Sequence, residues 1–268
     1  MIFFCGEYTV RKGMKSMMKT IIKIILAMLL VGLSYFFGQV WKENVHVIDP
    51  QENKNLPIYC VDTNKKEISL TFDVAWGNED MNEVLEILKK EKVKATFFLT
   101  GEWVSNFPDD VKKIAVQGHD IGNHGDHHKY MSQLSETEQK KEIMDLHEKV
   151  RLLTGEEMDL FRPPYGDYND LVITTARECG YEPIQWSVDS LDWKEYGKEA
   201  MISQTVDHKN LDNGAIILLH TGTLYTKDAL PELIKDLKEK GYEFVMVSKL
   251  IYKKNYYIDS SGKQFQKE

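Results

Sequence analysis

The chain has 268 residues, enough for one large domain, and carries 34 lysines and arginines against 42 aspartates and glutamates, a formal charge of −8. An acidic chain of this kind lacks the basic face that nucleic-acid binding demands, so nucleic acid is excluded as a partner. Three scattered cysteines, Cys5, Cys60 and Cys179, with no CxxC pair, argue against both a disulfide framework and a thiolate zinc site.

The N-terminus reads as a membrane anchor. Arg11, Lys12, Lys15, Lys19 and Lys23 precede the uncharged run "IILAMLLVGLSYFF". Counted from residue 21 to residue 40, this stretch has about the 20 residues that span a bilayer, with Lys23 free to snorkel. The positive charge before it orients residues 1–20 to the cytoplasm and the remainder outside. A cleavable signal peptide with a small-x-small site at Gly32-Leu33-Ser34 is the competing reading. Met14 is an alternative start. Residues 41–66, with "DPQENKNLP", read as a polar stalk, and residues 252–268 as a polar tail.

Between them, at 67–251, strand and helix patterns alternate. "EISLTF" reads as a strand, followed by Met81, Val84, Leu85 and Leu88 at helical spacing. "VKATFFL" is a second strand, and "DDVKKIAVQG" a short helix closed by Gly118. Ser135 and Glu138 form a capping box ahead of a helix reaching about Leu153. Then follow "NDLVITTARECG" (helix), "EPIQWSV" (strand), a helix near 198–208, "AIILLH" (strand), "ALPELIKDLKEKG" (helix) and "YEFVMV" (strand). Continuous apolar strands separated by helices predict an α/β fold with a parallel sheet, either a β/α barrel or an open doubly wound sheet. Catalytic groups in both cluster just after the C-terminal strand ends.

The chemistry-bearing residues fall at those places. Asp73 follows a strand, where a lone acid serves either as a catalytic group or as a cap. In "GNHGDHH", His124 and His128 are four apart; on a helical turn both imidazoles would face one ion. His127 points elsewhere, His147 and His208 fall on solvated helix faces, and His119 is structural. "FRPPYGDYN" braces Arg162 with two prolines, so its guanidinium has a set position. "DSLDW" offers two acids and an aromatic after a strand, and "LLHTG" puts His220 at the end of the most apolar strand. Trp76, Tyr165 and Tyr168 serve either as sugar-stacking platforms or as loop packing.

Together these stretches resemble the polysaccharide deacetylase family (carbohydrate esterase family 4, the NodB-homology domain) over about residues 67–250. "TFD", "HGDHH", "RPPYG", "DSLDW" and "LLH" look like its five motifs, and "FDVAWGNED" looks like the sporulation branch typified by PdaB-like proteins. The resemblance implies an irregular (β/α) barrel that hydrolyses N-acetyl groups of an N-acetylhexosamine polymer with a divalent metal, zinc being the expected ion. It implies Asp73 as general base, His124 and His128 as metal ligands, and Arg162 as the group that keeps Asp73 ionised. Asp189 would tune His220, the general acid. The Tyr165 N–H would help stabilise the oxyanion, Trp193 would form a wall of the groove, and Trp76 would contact substrate. With the anchor, the expected substrate is a cell-wall or spore-cortex glycan of the peptidoglycan type, met outside the membrane.

Two positions depart from the family pattern. Val74 stands where the metal-binding acid is expected, and Gly125 where the second motif carries a hydroxyl. A catalytic zinc site ordinarily has three protein ligands, so the metal site is expected to be weakened, with waters or a carboxylate from Glu79 or Asp80 completing it. A glycan-binding pseudoenzyme without a competent metal site, and a hydrolase of altered chemistry, are the alternatives.

Overall fold

The chain enters the fold through a two-residue strand, β1 (Cys60–Val61), and a long one, β2 (Glu67–Val74). These positions belong to a computed structural model that describes Met28 and residues 55–267. Apart from Met28, the expected membrane segment at 21–40, the basic N-terminus and most of the stalk lie outside the described residues. Among the described residues no helix is long and apolar enough to cross a membrane.

Strand and helix alternate after β2 as the hydrophobic periodicity requires. Helix α1 (Met81–Glu91) buries Met81, Val84, Leu85 and Leu88, the four residues at helical spacing. Strand β3 (Thr96–Leu99) is followed by α2 (Gly101–Asn106) and α3 (Pro108–Val116). Strand β4 (Asp120–Asn123) leads to α4 (Glu136–Thr154), whose capping box pairs Ser135 with Glu138 and which ends at a left-handed Gly155. Then come β5 (Leu160–Phe161), α5 (Asp170–Glu178), β6 (Glu182–Pro183), β7 (Val188–Asp189), α6 (Lys198–Val206), β8 (Ile216–His220) and α7 (Thr226–Glu239).

The strands form one parallel sheet in the order β6-β5-β4-β3-β2-β8-β7. Its two ends, β6 and β7, are joined by only Ile184–Ser187. That linker spans at most about 18 Å of extended chain, so the sheet must curl. This is a curled parallel α/β half-barrel, in keeping with the expected irregular barrel rather than an open doubly wound sheet. In the central strand, Ile68, Leu70, Phe72 and Val74 are buried in the main apolar core, under the helices. The alternate residues Ser69, Thr71 and Asp73 are buried too, but polar: the Ser69 hydroxyl donates to the Val245 carbonyl and the Thr71 hydroxyl to that of Ile217. The period-two pleat therefore lays a polar track along the strand that ends at Asp73.

Three boundaries differ from the sequence reading. "YEFVMV" is strand only at β9 (Glu243–Phe244), which pairs with the start of β2; helix α8 (Val247–Leu250) follows, and its Val247 N–H is taken by the Thr96 hydroxyl. The segment expected to be a polar tail folds into β10 (Tyr256–Ile258) and β11 (Lys263–Gln266), which make a second sheet with β1. The end of the expected stalk is likewise part of the domain, with Ile58 and Val61 fully buried beside Ile184 and Ile216. These links join the two ends of the domain across the whole chain, so local periodicity does not announce them.

Gln264 holds that second sheet to the body. Fully buried, its amide exchanges hydrogen bonds with the Tyr252 N–H (2.9 Å) and carbonyl (2.8 Å). Gln264→Ala strands both partners and should lower stability by roughly 1–3 kcal/mol in urea denaturation; an unstructured tail would show no change.

Candidate active site

Asp73, at the end of β2, faces a guanidinium that never meets water. Arg162 follows β5, and the prolines at 163 and 164 stiffen the backbone beyond it. It is fully buried, stacked 4.1 Å from the Phe98 ring centroid and 5.5 Å from that of Trp186. Its Nη1 donates to Asp73 Oδ1 (2.7 Å) and to the Thr71 hydroxyl (2.9 Å), and its Nη2 to the Gln185 carbonyl (3.1 Å). Burial by itself would raise the Asp73 carboxyl, but the guanidinium beside it holds it below the ordinary carboxylate value. The carboxylate is therefore ionised at neutral pH, with Oδ1 bound and Oδ2 turned towards His124, 3.5 Å from its Nε2.

The two histidines of "HGDHH" do converge, though not on a helical turn. Residues 124–128 form a loop after β4 in which Gly125 (φ 76°) and His128 (φ 52°) are left-handed. Gly125 is glycine for that reason, and a hydroxyl-bearing residue there would be strained. His124 Nδ1 lies 2.7 Å from the Arg162 carbonyl. A carbonyl only accepts, so Nδ1 carries the proton and Nε2 presents a lone pair. Burial pushes the His128 imidazole down to about 4 and lowers that of His124, so both are neutral, the form that binds metal. Their Nε2 atoms are 3.3 Å apart. Two nitrogens on one tetrahedral zinc, at about 2.0–2.1 Å each, lie about 3.4 Å apart, so the pair fits two ligand positions.

A third protein ligand is not at hand. Among the described residues no group of three or more histidine, cysteine, aspartate or glutamate side chains is placed to hold a metal ion. Val74 is buried in the apolar core. The Asp80 carboxylate is turned to the loop after β8, with Oδ2 accepting the Gly222 N–H, and Glu79 packs over Gly77; neither lines the cleft.

His220, at the end of β8, completes the cluster, but its partner is Asp192 and not Asp189. Its Nδ1 is 2.8 Å from Asp192 Oδ1, and its own N–H donates to Asp192 Oδ2 (2.7 Å), which the Thr226 hydroxyl also reaches (2.7 Å). Burial opposes protonation of this imidazole, yet the Asp192 carboxylate outweighs it and raises the pKa above the ordinary histidine value. Asp189 lines the cleft and spends its Oδ1 on the Leu191 N–H two residues on. That Asx turn consumes the first acid of "DSLDW", and the left-handed Leu191 (φ 54°) swings the second one under the histidine.

These groups share one cleft of about 330 Å³, lined also by Trp76, Tyr165, Trp186, Trp193 and Leu218. Trp76 and Trp193 are half exposed at its mouth, with the Trp76 ring 6.0 Å from His128 and 6.2 Å from His220. The Tyr165 ring packs on Tyr130 at 4.2 Å and on His128 at 4.4 Å. Left-handed itself (φ 61°), Tyr165 has a backbone N–H with no partner among the described residues. Tyr168 does not reach the cleft and bonds Tyr59 instead.

The profile of the polysaccharide deacetylase family matches residues 61–184, a span holding Asp73, His124, His128, Arg162 and Tyr165. The chain is 35% identical over 206 residues to the peptidoglycan-N-acetylmuramic acid deacetylase PdaA of Bacillus subtilis, covering 75% of this chain and 78% of that one. It is 38% identical over 196 residues to a peptidoglycan-N-acetylglucosamine deacetylase of Bacillus cereus, covering 71% and 91%. The chain belongs to the polysaccharide deacetylase family. Membership makes it a deacetylase by class, a hydrolase of carbon–nitrogen bonds other than peptide bonds. It is also similar to BA3943 of Bacillus anthracis, a CE4 family pseudoenzyme, with a TM-score of 0.69 at 36% identity over 72% of this chain and 68% of that one.

The remaining described histidines stand outside the deacetylase cleft. His127 turns away to Glu142 (3.0 Å), and His119 is buried, accepting the Ala95 N–H. His147 is not solvated as its helix pattern suggested: it is wedged between the Tyr181 hydroxyl (2.5 Å) and Glu157 (2.7 Å). His208 is more peripheral, with Nδ1 accepting the Asn210 N–H.

The pairing of His220 is directly checkable. By NMR titration its imidazole pKa should fall in Asp192→Asn, which removes the carboxylate that raises it, and move less in Asp189→Asn. The reverse order would restore Asp189 as its partner.

Proposed function

We propose that this deacetylase hydrolyses the N-acetyl group of a peptidoglycan-type N-acetylhexosamine polymer, with Asp73 as base and His220 as acid. The observation that carries the reading is that a carboxylate held ionised by Arg162 and an imidazole whose hold on its proton is strengthened by Asp192 border one cleft with the histidine pair. Amide hydrolysis needs these two groups in opposite protonation states at one pH.

In the reaction the free Oδ2 of Asp73 takes a proton from a water whose oxygen attacks the acetyl carbonyl carbon. The unpartnered Tyr165 N–H donates to the oxygen that gains charge. His220 then gives its proton, through the nitrogen opposite Asp192, to the departing sugar nitrogen as the C–N bond breaks. Acetate and a free amine are the products. His124 and His128 would hold a divalent cation, zinc by preference for their nitrogens, which when bound supplies charge for the carbonyl oxygen and acidity for the water. Trp76 and Trp193 flank the sugar. Similarity to two peptidoglycan deacetylases supports the polymer class.

The reading extends to location. The basic N-terminus and apolar run at 21–40 support a tether that holds the domain outside the cytoplasmic membrane, and the likeness of "FDVAWGNED" to the PdaB-like branch supports a place in the forespore or spore envelope. A second reading, a glycan-binding pseudoenzyme, draws on Val74 and on the similarity to BA3943.

The two are separated by acetate release from N-acetylated glycan oligomers. The enzyme reading expects turnover that drops by about 10²–10⁴-fold in Asp73→Asn and His220→Ala. Glycan binding without turnover in the wild type, unchanged in both variants, would establish the pseudoenzyme. The pH profile has a predicted sign. Asp73 is lowered and must be ionised, so the acid limb falls below the ordinary carboxylate range. His220 is raised and must be protonated, so activity is lost only as pH climbs past the ordinary histidine value. Asp192→Asn should move that alkaline limb to lower pH.

A further inference from the structure

The loop that carries His124 and His128 has no regular structure, and His128 sits in a left-handed conformation that a histidine rarely adopts. Such a residue persists only where its surroundings over-determine it. On the cleft side its ring packs on Tyr165 and Trp76; the groups that hold its neighbours in the loop lie behind it, on α4 and at the start of α2.

Glu142, on the second turn of α4, is almost wholly buried. Its Oε2 accepts the His127 N–H at 2.8 Å, while Oε1 is 3.0 Å from His127 Nδ1 and 2.8 Å from Lys129 Nζ. One carboxylate thus grips the backbone and side chain of the residue before His128 and the side chain of the residue after it. Asp126, also buried, adds a second grip: its Oδ1 pairs with Lys149 Nζ, two turns along the same helix. Asp126 is seated against Gly101, where a Cβ would fall 1.6 Å from Oδ1. The carbonyls of Gly125 and Asp126 accept the N–H groups of Gly101 (3.1 Å) and Glu102 (3.0 Å). Every residue between the two histidines is therefore held from outside the cleft.

We propose that Glu142 is a positioning residue for the His124–His128 pair, fixing the loop so that the two Nε2 atoms stay at metal-binding separation although Val74 supplies no third ligand. It touches neither histidine of the pair. With two ligands rather than three, affinity depends more heavily on how little freedom those two lose on binding. The proposal rests on the reading that the pair holds a divalent cation, and its test has a readout that does not.

The test uses the full chain in detergent, as wild type, Glu142→Ala, Glu142→Gln and, as a control on the exposed face of α4, Glu148→Ala. Hydrogen exchange of the peptide over 124–130, measured without metal, should rise about tenfold or more in Glu142→Ala while β2 and α4 keep their protection. Calorimetric zinc affinity should fall about 10–100-fold in the same variant. Glu142→Gln keeps an acceptor for the His127 N–H and should recover most of both, and Glu148→Ala should match wild type. Unchanged loop exchange in a folded Glu142→Ala, or in Glu142→Gln and Glu142→Ala alike, would overturn the proposal, as would undiminished zinc affinity. Wild type that binds no zinc would defeat the metal reading instead, with loop exchange still deciding the role of Glu142.

Discussion

A fully buried guanidinium and a carboxylate at the floor of the cleft, 2.7 Å apart, organise this protein. Removing one partner of such a pair leaves the other charge buried and costs roughly 3–5 kcal/mol. Arg162 does more than neutralise Asp73. Its donors reach Thr71 and Asp73 on β2 and the Gln185 carbonyl beyond β6, so it spans the inside of the curled sheet, packed between the rings of Phe98 and Trp186. Its own carbonyl fixes the tautomer of His124. One side chain and its backbone thereby set the charge of the base and the proton position of the adjacent imidazole.

Three histidines border the same cleft, yet their environments push them in opposite directions. His124 and His128 are driven towards neutrality by burial, which outweighs the nearby Asp73 carboxylate. His220 is buried as well, but the Asp192 carboxylate bonds its Nδ1 and raises its affinity for the proton. Neutral imidazoles bind metal and a charged imidazole donates a proton, so partner choice alone divides the labour among them.

Much of this was legible in sequence because the parallel sheet delivers each functional residue at a strand end. Asp73 and His220 lie at the ends of apolar runs that periodicity identifies, Arg162 follows the two-residue β5 that periodicity does not show, and the family resemblance assembles them. The illegible parts depend on turn geometry or on distant pairing. Asp189 and Asp192 are three residues apart, and an Asx turn decided which of them meets His220. The histidine pair needs left-handed Gly125 and His128, whereas i, i+4 spacing suggests a helix. Gln264 looks like tail chemistry until β11 pairs with β1, some two hundred residues earlier. His147 reads as surface until Tyr181 is brought over it.

The central claim is that two histidines, with Val74 in place of a third ligand, still make a metal site in this cleft. It is tested most directly by calorimetric titration of zinc into the full-length protein, beside His124→Ala. The account predicts one zinc per chain for the wild type and a loss of affinity of at least about tenfold in the variant. No binding by the wild type, or binding that His124→Ala leaves unchanged, would contradict it.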